Sequence, residues 1–340
     1  MSEITKSPAE DLSWEQEKKR MNLNGLKQLA RRIAVDRPLL LIVLIGSLST
    51  WMTISYPEAF PHWDNFAAVL LDAAQSGILT VGMMILLVGG VFDLSIGSTL
   101  AFSGIVAGTL VKDFGASPLL AFLGGIATGF VCGSINGLII TRLRINALIT
   151  TLAMQGILRG VTQLVAPAGV ANLPEGFKPF GQTVFLALQS PFWVMLIVAL
   201  LAWFAMNRTR FFRQFYYVGS NPRAATLSGI KVDFVVLIGF ILMGTLAGLA
   251  GTLLASRLSN AVVLAGIGTE LRTITAAILG GASLAGGVGT IPGAFLGVLF
   301  MSLIQNMLII ARVPVFWQSI VVGVVLLIAI GIDQLGRRGR

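Results

Sequence analysis

Charged residues are scarce in this chain of 340 residues, making up 11% of the sequence, whereas hydrophobic residues make up 55%. A soluble globular protein carries about 25% charged residues, so this chain has too few to cover a surface that faces water. It also has one cysteine, Cys132, and one histidine, His62. A single cysteine can build neither an intramolecular disulfide nor a thiolate metal site. The composition therefore argues against a soluble protein and against a cysteine-based metal centre.

Motifs for nucleotide binding and catalysis are also missing. The chain contains no Gly-x-x-x-x-Gly-Lys-Ser/Thr phosphate loop and no Gly-x-Ser-x-Gly elbow, and no metal-ligand cluster stands out. The net charge of +9 would suggest nucleic acid in a soluble protein, but no RNA- or DNA-binding pattern accompanies it. We therefore expect no catalytic residue, no metal and no cofactor in this chain, and no nucleic-acid partner.

Long apolar runs are abundant instead. A membrane helix needs about 20 predominantly apolar residues, and runs of about that length recur along the chain. The sequence therefore predicts an all-α, polytopic transmembrane bundle of about ten spans, of which 95–111 and 272–287 are short and are therefore expected to be tilted or broken rather than simple crossings. The predicted spans are 38–56, 66–90, 95–111, 117–140, 145–165, 191–206, 233–255, 272–287, 291–311 and 314–332.

The positive charges predict the orientation of this bundle. With the N-terminus inside, 18 of the 24 lysines and arginines fall on the cytoplasmic side, as the positive-inside rule requires. The six on the outer side are Lys112, Arg159, Lys178, Arg257, Arg272 and Arg312. Both termini are then cytoplasmic. The domain plan is an N-terminal tail over 1–37, a membrane domain over 38–333 and a basic C-terminal tail over 334–340.

Glycines recur every four residues in the fourth predicted span. Such a stripe lets two helix backbones approach closely within lipid, so we expect it to be a helix-packing face. The stripe consists of Gly125, Gly129, Gly133 and Gly137.

Asp93 lies between two apolar runs, in the stretch Asp93-Leu94-Ser95-Ile96-Gly97-Ser98. A carboxylate at the centre of a membrane helix costs about 2.5–3.5 kcal/mol, so Asp93 marks either a functional site or a turn that reaches water. The ten-span topology places it at the cytoplasmic turn between spans two and three. There, Asp93 or Ser95 can accept backbone N–H groups at the start of span three. Helix capping and direct contact with a substrate both stay open.

Two other features bear on transport. Gly280-Gly281 and Gly89-Gly90 are each followed by an irregular stretch and then by a helix of small residues. Such paired interruptions indicate a transport pathway. Asp72 and Glu270 are further carboxylates in or near spans. They neither require nor exclude ion coupling.

The longest internal cytoplasmic loop, 207–232, contains a short capped helix. Asn221 suits its N-cap, Pro222 its first position and Gly229 the position after its end. We expect Ala224, Ala225 and Ser228 to share a small, flat face. A helix of two turns is marginal alone, so it packs against either its own bundle or another protein.

Three motifs in this order resemble those of permease subunits of bacterial ABC importers of the ribose-type monosaccharide and autoinducer-2 class. They are Asp93 to Ser98, the loop Gly219-Ser220-Asn221-Pro222-Arg223-Ala224-Ala225 through Ser228-Gly229, and Gly268-Thr269-Glu270 followed by Gly280-Gly281. The resemblance covers about residues 65–333.

The resemblance implies a protein of the bacterial inner membrane that works with other chains. Two permeases, identical or different, form the pathway, and a periplasmic solute-binding protein delivers the sugar. A separate cytoplasmic ATPase carries ATP and Mg²⁺ and docks on loop 207–232. Alternatives are an ABC permease for another small solute, such as a branched-chain amino acid, nucleoside or polyol, and a secondary carrier coupled through Asp72, Asp93 or Glu270.

Overall fold

The computed structural model describes residues 37–338, and this part of the chain is mostly helical. A 3₁₀ turn at Glu175–Phe177 and a hairpin of β1 (Val184–Phe185) and β2 (Leu188–Gln189) interrupt the helices. The helices are α1 (Arg37–Ser55), α2 (Trp63–Val88), α3 (Ile96–Lys112), α4 (Pro118–Arg142), α5 (Ala147–Val165), α6 (Pro179–Gln182), α7 (Ser190–Arg208), α8 (Arg210–Ser220), α9 (Pro222–Leu227), α10 (Val232–Leu258), α11 (Thr269–Leu279), α12 (Ile291–Ile310) and α13 (Val315–Arg338).

The prediction of a multi-span helical bundle is confirmed in its coarse form. Within the described residues, seven helices are long and apolar enough to cross a membrane: α1, α2, α4, α5, α7, α10 and α12. The figure of ten spans and the cytoplasmic position of both termini stay predictions. The predicted N-terminal tail lies outside the described residues except for Arg37, whereas α13 runs on through Arg338 into the predicted C-terminal tail.

The expected span 272–287 is not a continuous helix. Its helical part, α11, has 11 residues, which corresponds to about 16 Å of rise and is too short to cross a bilayer core of about 30 Å. Residues 280–290 form turns that contain Gly281, Gly286, Gly287 and Gly289, all with positive φ. Hydropathy alone merged these turns with the short helix into one apparent span.

Helix α2 lies at the centre of the bundle and packs against α7, α10 and α12. Its second half is buried on all sides, from Ser76 to Val88. Such all-round burial explains why this run is almost uniformly apolar. By contrast, α7 exposes one apolar face, which includes Ile197, Leu200 and Phe204, as expected of a helix that borders lipid.

The predicted glycine stripe on α4 packs against α10. A Cβ added to Gly129 would lie 2.2 Å from the Gly244 carbonyl oxygen, and one added to Gly133 would lie 2.3 Å from the Phe240 oxygen. The stripe continues at both ends, because a Cβ at Gly125 would meet the Thr252 hydroxyl and one at Gly137 would meet Leu237. The two backbones therefore touch along most of the length of α4.

Two segments pass from one end of the bundle to the other as an irregular stretch followed by a helix. The first leaves α2 at Gly90, which lies beside Gly219, and continues through residues 91–95 into α3. The second begins where Ala261 pairs with Val170 at the opposite end, and continues through residues 262–268 into α11. Since the two segments run in opposite directions, their helices begin near each other inside the bundle.

Candidate functional site

The N-termini of α3 and α11 meet at a contact between two glycines. A Cβ added to Gly97 would lie 2.1 Å from the Gly266 carbonyl oxygen, and Gly266 itself has φ +72. The Glu270 carboxylate is also close, because its Oε2 would lie 2.9 Å from that added Cβ. The N-terminus of a helix carries a partial positive charge, so Glu270 sits where the positive ends of two helices come together.

Asp93 belongs to a buried polar cluster beside this junction. Its Oδ1 accepts hydrogen bonds from the Ser95 amide at 2.7 Å and from the Ser95 hydroxyl at 2.6 Å. Asn136 on α4 donates to the Ser95 hydroxyl at 2.9 Å and to Asp93 Oδ2 at 3.4 Å. Ser98, also buried, donates to the Ser95 carbonyl at 2.8 Å. The cluster therefore ties the start of α3 to the middle of the bundle.

This geometry corrects the expected position of Asp93. Its side chain does not lie in a turn that reaches water, because the residue is only 2% exposed. It bonds Asn136, which is six residues from the end of α4 at Arg142, or about 9 Å along the helix. Of the two expected caps, Asp93 accepts a backbone N–H, whereas the Ser95 side chain caps nothing.

Replacing Asp93 with asparagine should destabilise the chain. The new amide would point its N–H₂ at the Asn136 N–H₂, so this hydrogen bond, worth about 0.5–1.5 kcal/mol, would be lost. We expect a lower thermal midpoint in detergent and less protein in the membrane. In the double variant that adds Asn136→Asp, the new carboxylate faces the new amide. The double variant should therefore recover part of the loss in thermal midpoint. An unchanged midpoint in Asp93→Asn would contradict this role.

Helix α5 supplies polar groups that sequence reasoning missed. Gln155 donates to Glu270 Oε1 at 3.3 Å. One turn further, the Arg159 guanidinium donates to the carbonyl oxygens of Val263 and Ala265 at 2.6 and 2.8 Å. From the sequence, Arg159 was predicted only to be one of the six positive charges on the outer side. Its spacing of four residues from Gln155, within an otherwise apolar span, was the available signal.

Asp72 on α2 and Arg272 on α11 form an ion pair. Arg272 Nη1 donates to Asp72 Oδ1 at 3.1 Å, Nη2 bonds Asp72 Oδ2, and Nη2 also donates to the Ser302 hydroxyl of α12 at 3.1 Å. Arg272 was counted among the outer loop charges, but here it holds three helices together. Asp72 is therefore paired with a cation from another helix.

At the end of the bundle where α2 finishes, three chain segments come together around Gly219. A Cβ added to Gly219 would lie 1.9 Å from the Val88 carbonyl oxygen and 2.6 Å from the Gly287 nitrogen. These two groups bond each other, with the Gly287 amide donating to the Val88 oxygen at 2.8 Å. The last residues of α8 therefore lie directly against the end of α2 and the 286–287 turn.

Neighbouring contacts tighten this junction. The Tyr216 hydroxyl donates to the Gly289 carbonyl at 2.9 Å, and burial raises the pKa of Tyr216. Gly280, at the end of α11, lies so close to Gly293 that an added Cβ would be 2.2 Å from the Gly293 oxygen. Gly281 follows with φ +99, a conformation that favours glycine. The predicted pair Gly280-Gly281 thus ends α11 and turns the chain toward α12.

The predicted loop helix is present as α9. The Asn221 side chain accepts from the Ala224 amide at 3.0 Å, Pro222 occupies the first turn, and Gly229 follows the helix with φ +82. Much of the rest of loop 207–232 is also helical, because α8 fills Arg210–Ser220.

The expected flat face of α9 is divided. Ala225 is buried against the bundle, while Arg223, Ala224 and Ser228 are exposed, and Leu227 is 90% exposed. The exposed side of α9 therefore presents an arginine and a leucine at the surface.

The chain is similar to known permease proteins along most of its length. A family model described as "Branched-chain amino acid transport system / permease component" matches residues 65–330. An L-arabinose ABC transporter permease protein of Azospirillum brasilense is 36% identical over 317 residues, covering 93% of this chain and 91% of that protein.

Two further relatives carry sugar names. A ribose import permease protein of Bacillus subtilis is 36% identical over 322 residues, covering 94% of this chain and 96% of that protein. A D-allose transport system permease protein of Escherichia coli is 35% identical over 299 residues, covering 87% of this chain and 89% of that protein.

Proposed function

Because the chain belongs to the family of permease components of branched-chain amino acid transport systems, we propose that it is the membrane subunit of an ATP-driven importer for a monosaccharide. The family supports the role of permease, and the relatives named for arabinose, ribose and allose support a sugar as the solute. The bundle of apolar helices supports a multi-pass membrane protein.

The observation that carries the proposal is the position of α9. Its polar and apolar side chains, among them Arg223 and Leu227, are exposed on one side. The preceding helix α8, which ends at Ser220, places Gly219 against the Val88 carbonyl and Gly287. A protein that pushes α9 therefore moves backbone in direct contact with the end of α2 and with the turn that follows α11.

The partners follow from the same role. A separate cytoplasmic ATPase, holding ATP and Mg²⁺ on its own residues, docks on Asn221–Gly229 and drives alternating access. A second permease subunit completes the pathway, and a periplasmic solute-binding protein delivers the sugar. The chain itself holds no cofactor and no catalytic residue, and it resides among the lipids of the bacterial inner membrane.

Uptake into proteoliposomes tests this proposal. The permease, reconstituted with its ATPase and binding protein, should accumulate radiolabelled ribose, arabinose or allose only when ATP is present. Accumulation that persists without the ATPase would overturn the proposal. A proton ionophore at constant ATP distinguishes the importer from the alternative of a secondary carrier. The ionophore should leave uptake by an ATP-driven importer unchanged.

A second candidate solute is a branched-chain amino acid, because the description of the matching family names that class. Radiolabelled leucine in the same vesicles decides between the two solutes. ATP-dependent leucine uptake without sugar uptake would replace the sugar proposal.

A further inference from the structure

The irregular segment 262–268 lies deep inside the bundle and is nevertheless exposed. Gly266 in this segment contacts Gly97 of α3. Eleven residues further along α3, Gly108 contacts Ala261 near the end of the bundle. This separation corresponds to about 16 Å, or half the thickness of a bilayer core. At this depth Leu264 is 59% exposed and Ile267 is 65% exposed.

Several amides of this segment lack backbone partners. In the described part of the chain, the N–H groups of Leu264, Ile267 and Gly268 form no backbone hydrogen bond. Lipid offers them no partner, and irregular backbone at membrane depth occurs only where it is buried in protein or lines a water-filled cavity. The exposed side of 262–268 therefore cannot border lipid, despite its apolar side chains.

Acceptor groups lie next to these free donors. Glu270 follows the segment directly and bonds Gln155 through one carboxylate oxygen. Its second oxygen, Oε2, is buried and has no hydrogen-bond partner. Arg159 is already used by the carbonyl groups of Val263 and Ala265, so it holds the segment in place without satisfying that oxygen.

We propose that Gln155, Glu270 and the free amides of Leu264, Ile267 and Gly268 form a polar contact site for sugar hydroxyl groups, midway along the translocation pathway. Each hydroxyl is both a donor and an acceptor, so a polyol can donate to the Glu270 carboxylate and accept from the free amides. A site built to bond hydroxyls rejects analogues that lack them. This inference rests on the proposed function, and it adds the residues that contact the solute.

Cysteine labelling tests whether the segment faces water. Cys132 is the only cysteine and is buried, so the native chain provides the unlabelled background. In reconstituted vesicles, Ile267→Cys and Leu264→Cys should react with a charged, water-soluble methanethiosulfonate. Leu200→Cys, on the exposed apolar face of α7, is the lipid-facing control and should not react. Lack of reaction at both 264 and 267 would overturn the inference.

Sugar protection and kinetics test the contact itself. Ribose, arabinose or allose, whichever the vesicles transport, should slow labelling of Ile267→Cys at least about threefold, because a bound sugar covers the segment. Glu270→Gln should raise the KM for uptake at least about fivefold, as expected for a lost hydrogen bond to a charged group, while ATP hydrolysis continues. Glu175→Gln, in an exposed loop paired with Lys178, is the charge-matched control and should keep the native KM.

The failures of the two proposals are distinguishable. ATP-dependent sugar uptake by the native chain, together with unprotected labelling and an unchanged KM in Glu270→Gln, would overturn the contact site alone. Reactive Ile267→Cys with no uptake of any of the three sugars by the native chain would overturn the proposed sugar importer.

Discussion

Replacing Gly129 with valine should lower the thermal midpoint of the detergent-solubilised protein by at least about 5 °C. The added Cβ would lie 2.2 Å from the Gly244 oxygen and 2.7 Å from the Gly248 Cα and nitrogen. These are backbone atoms, so no rotamer change can make room, and α4 and α10 must separate. Overpacking of a well-packed core costs about 1–3 kcal/mol, and the loss of a whole helix contact should reach the upper part of this range.

The matched control is the same substitution in a glycine without neighbours. Gly46 lies in α1, and a Cβ there meets nothing within 4 Å, so Gly46→Val should keep the native midpoint. Gly133→Val should reproduce the effect of Gly129→Val, because its Cβ would lie 2.3 Å from the Phe240 oxygen. Equal midpoints for Gly129→Val and Gly46→Val would contradict close packing of α4 on α10.

Local chemistry explains which parts of the fold the sequence could predict. The glycine period of four on α4 pointed to a packing face, because one face of a helix repeats at this spacing. Asn221, Pro222 and Gly229 pointed to α9, because each residue satisfies a need of one helix end. Both features depend on residues that lie within a short stretch of the chain, so a single sequence is enough to predict them.

The irregular segments could not be predicted in the same way. Hydropathy averages over windows longer than α11, so the apolar turns after Leu279 passed for the rest of a helix. The burial of Asp93 depends on Asn136, which is 43 residues away in the sequence. Likewise, the sequence indicates Arg159 and Arg272 only as positive charges on the outer side, because their hydrogen-bond partners are distant in the chain. These contacts arise from tertiary packing, for which one sequence carries no direct signal.

Replacing Gly219 with alanine should reduce ATP-dependent uptake at least about tenfold, which corresponds to about 1.4 kcal/mol of lost coupling. The new Cβ would lie 1.9 Å from the Val88 oxygen and 2.6 Å from the Gly287 nitrogen. Because both are backbone atoms, the end of α8 must move away from α2 and from the 286–287 turn. Motion of α9 would then no longer reach the end of α2 and the turn that follows α11.

Binding of the ATPase should survive this substitution. The exposed side of α9, with Arg223 and Leu227, is chemically unchanged, so the ATPase should still copurify with the permease. ATP hydrolysis by the ATPase should no longer depend on the binding protein. The matched control is Gly323→Ala in α13, where an added Cβ meets nothing within 4 Å, and it should keep native uptake.

A drop in uptake could also follow from misfolding, and two measurements separate the causes. Uncoupling predicts a monodisperse Gly219→Ala protein that binds the ATPase and hydrolyses ATP, whereas misfolding removes both properties. Uptake within twofold of the native protein would show that the close contact of Gly219 with Val88 and Gly287 does not transmit the motion of α9. In that case, coupling would have to pass through other contacts of α9 with the bundle, such as the buried Ala225.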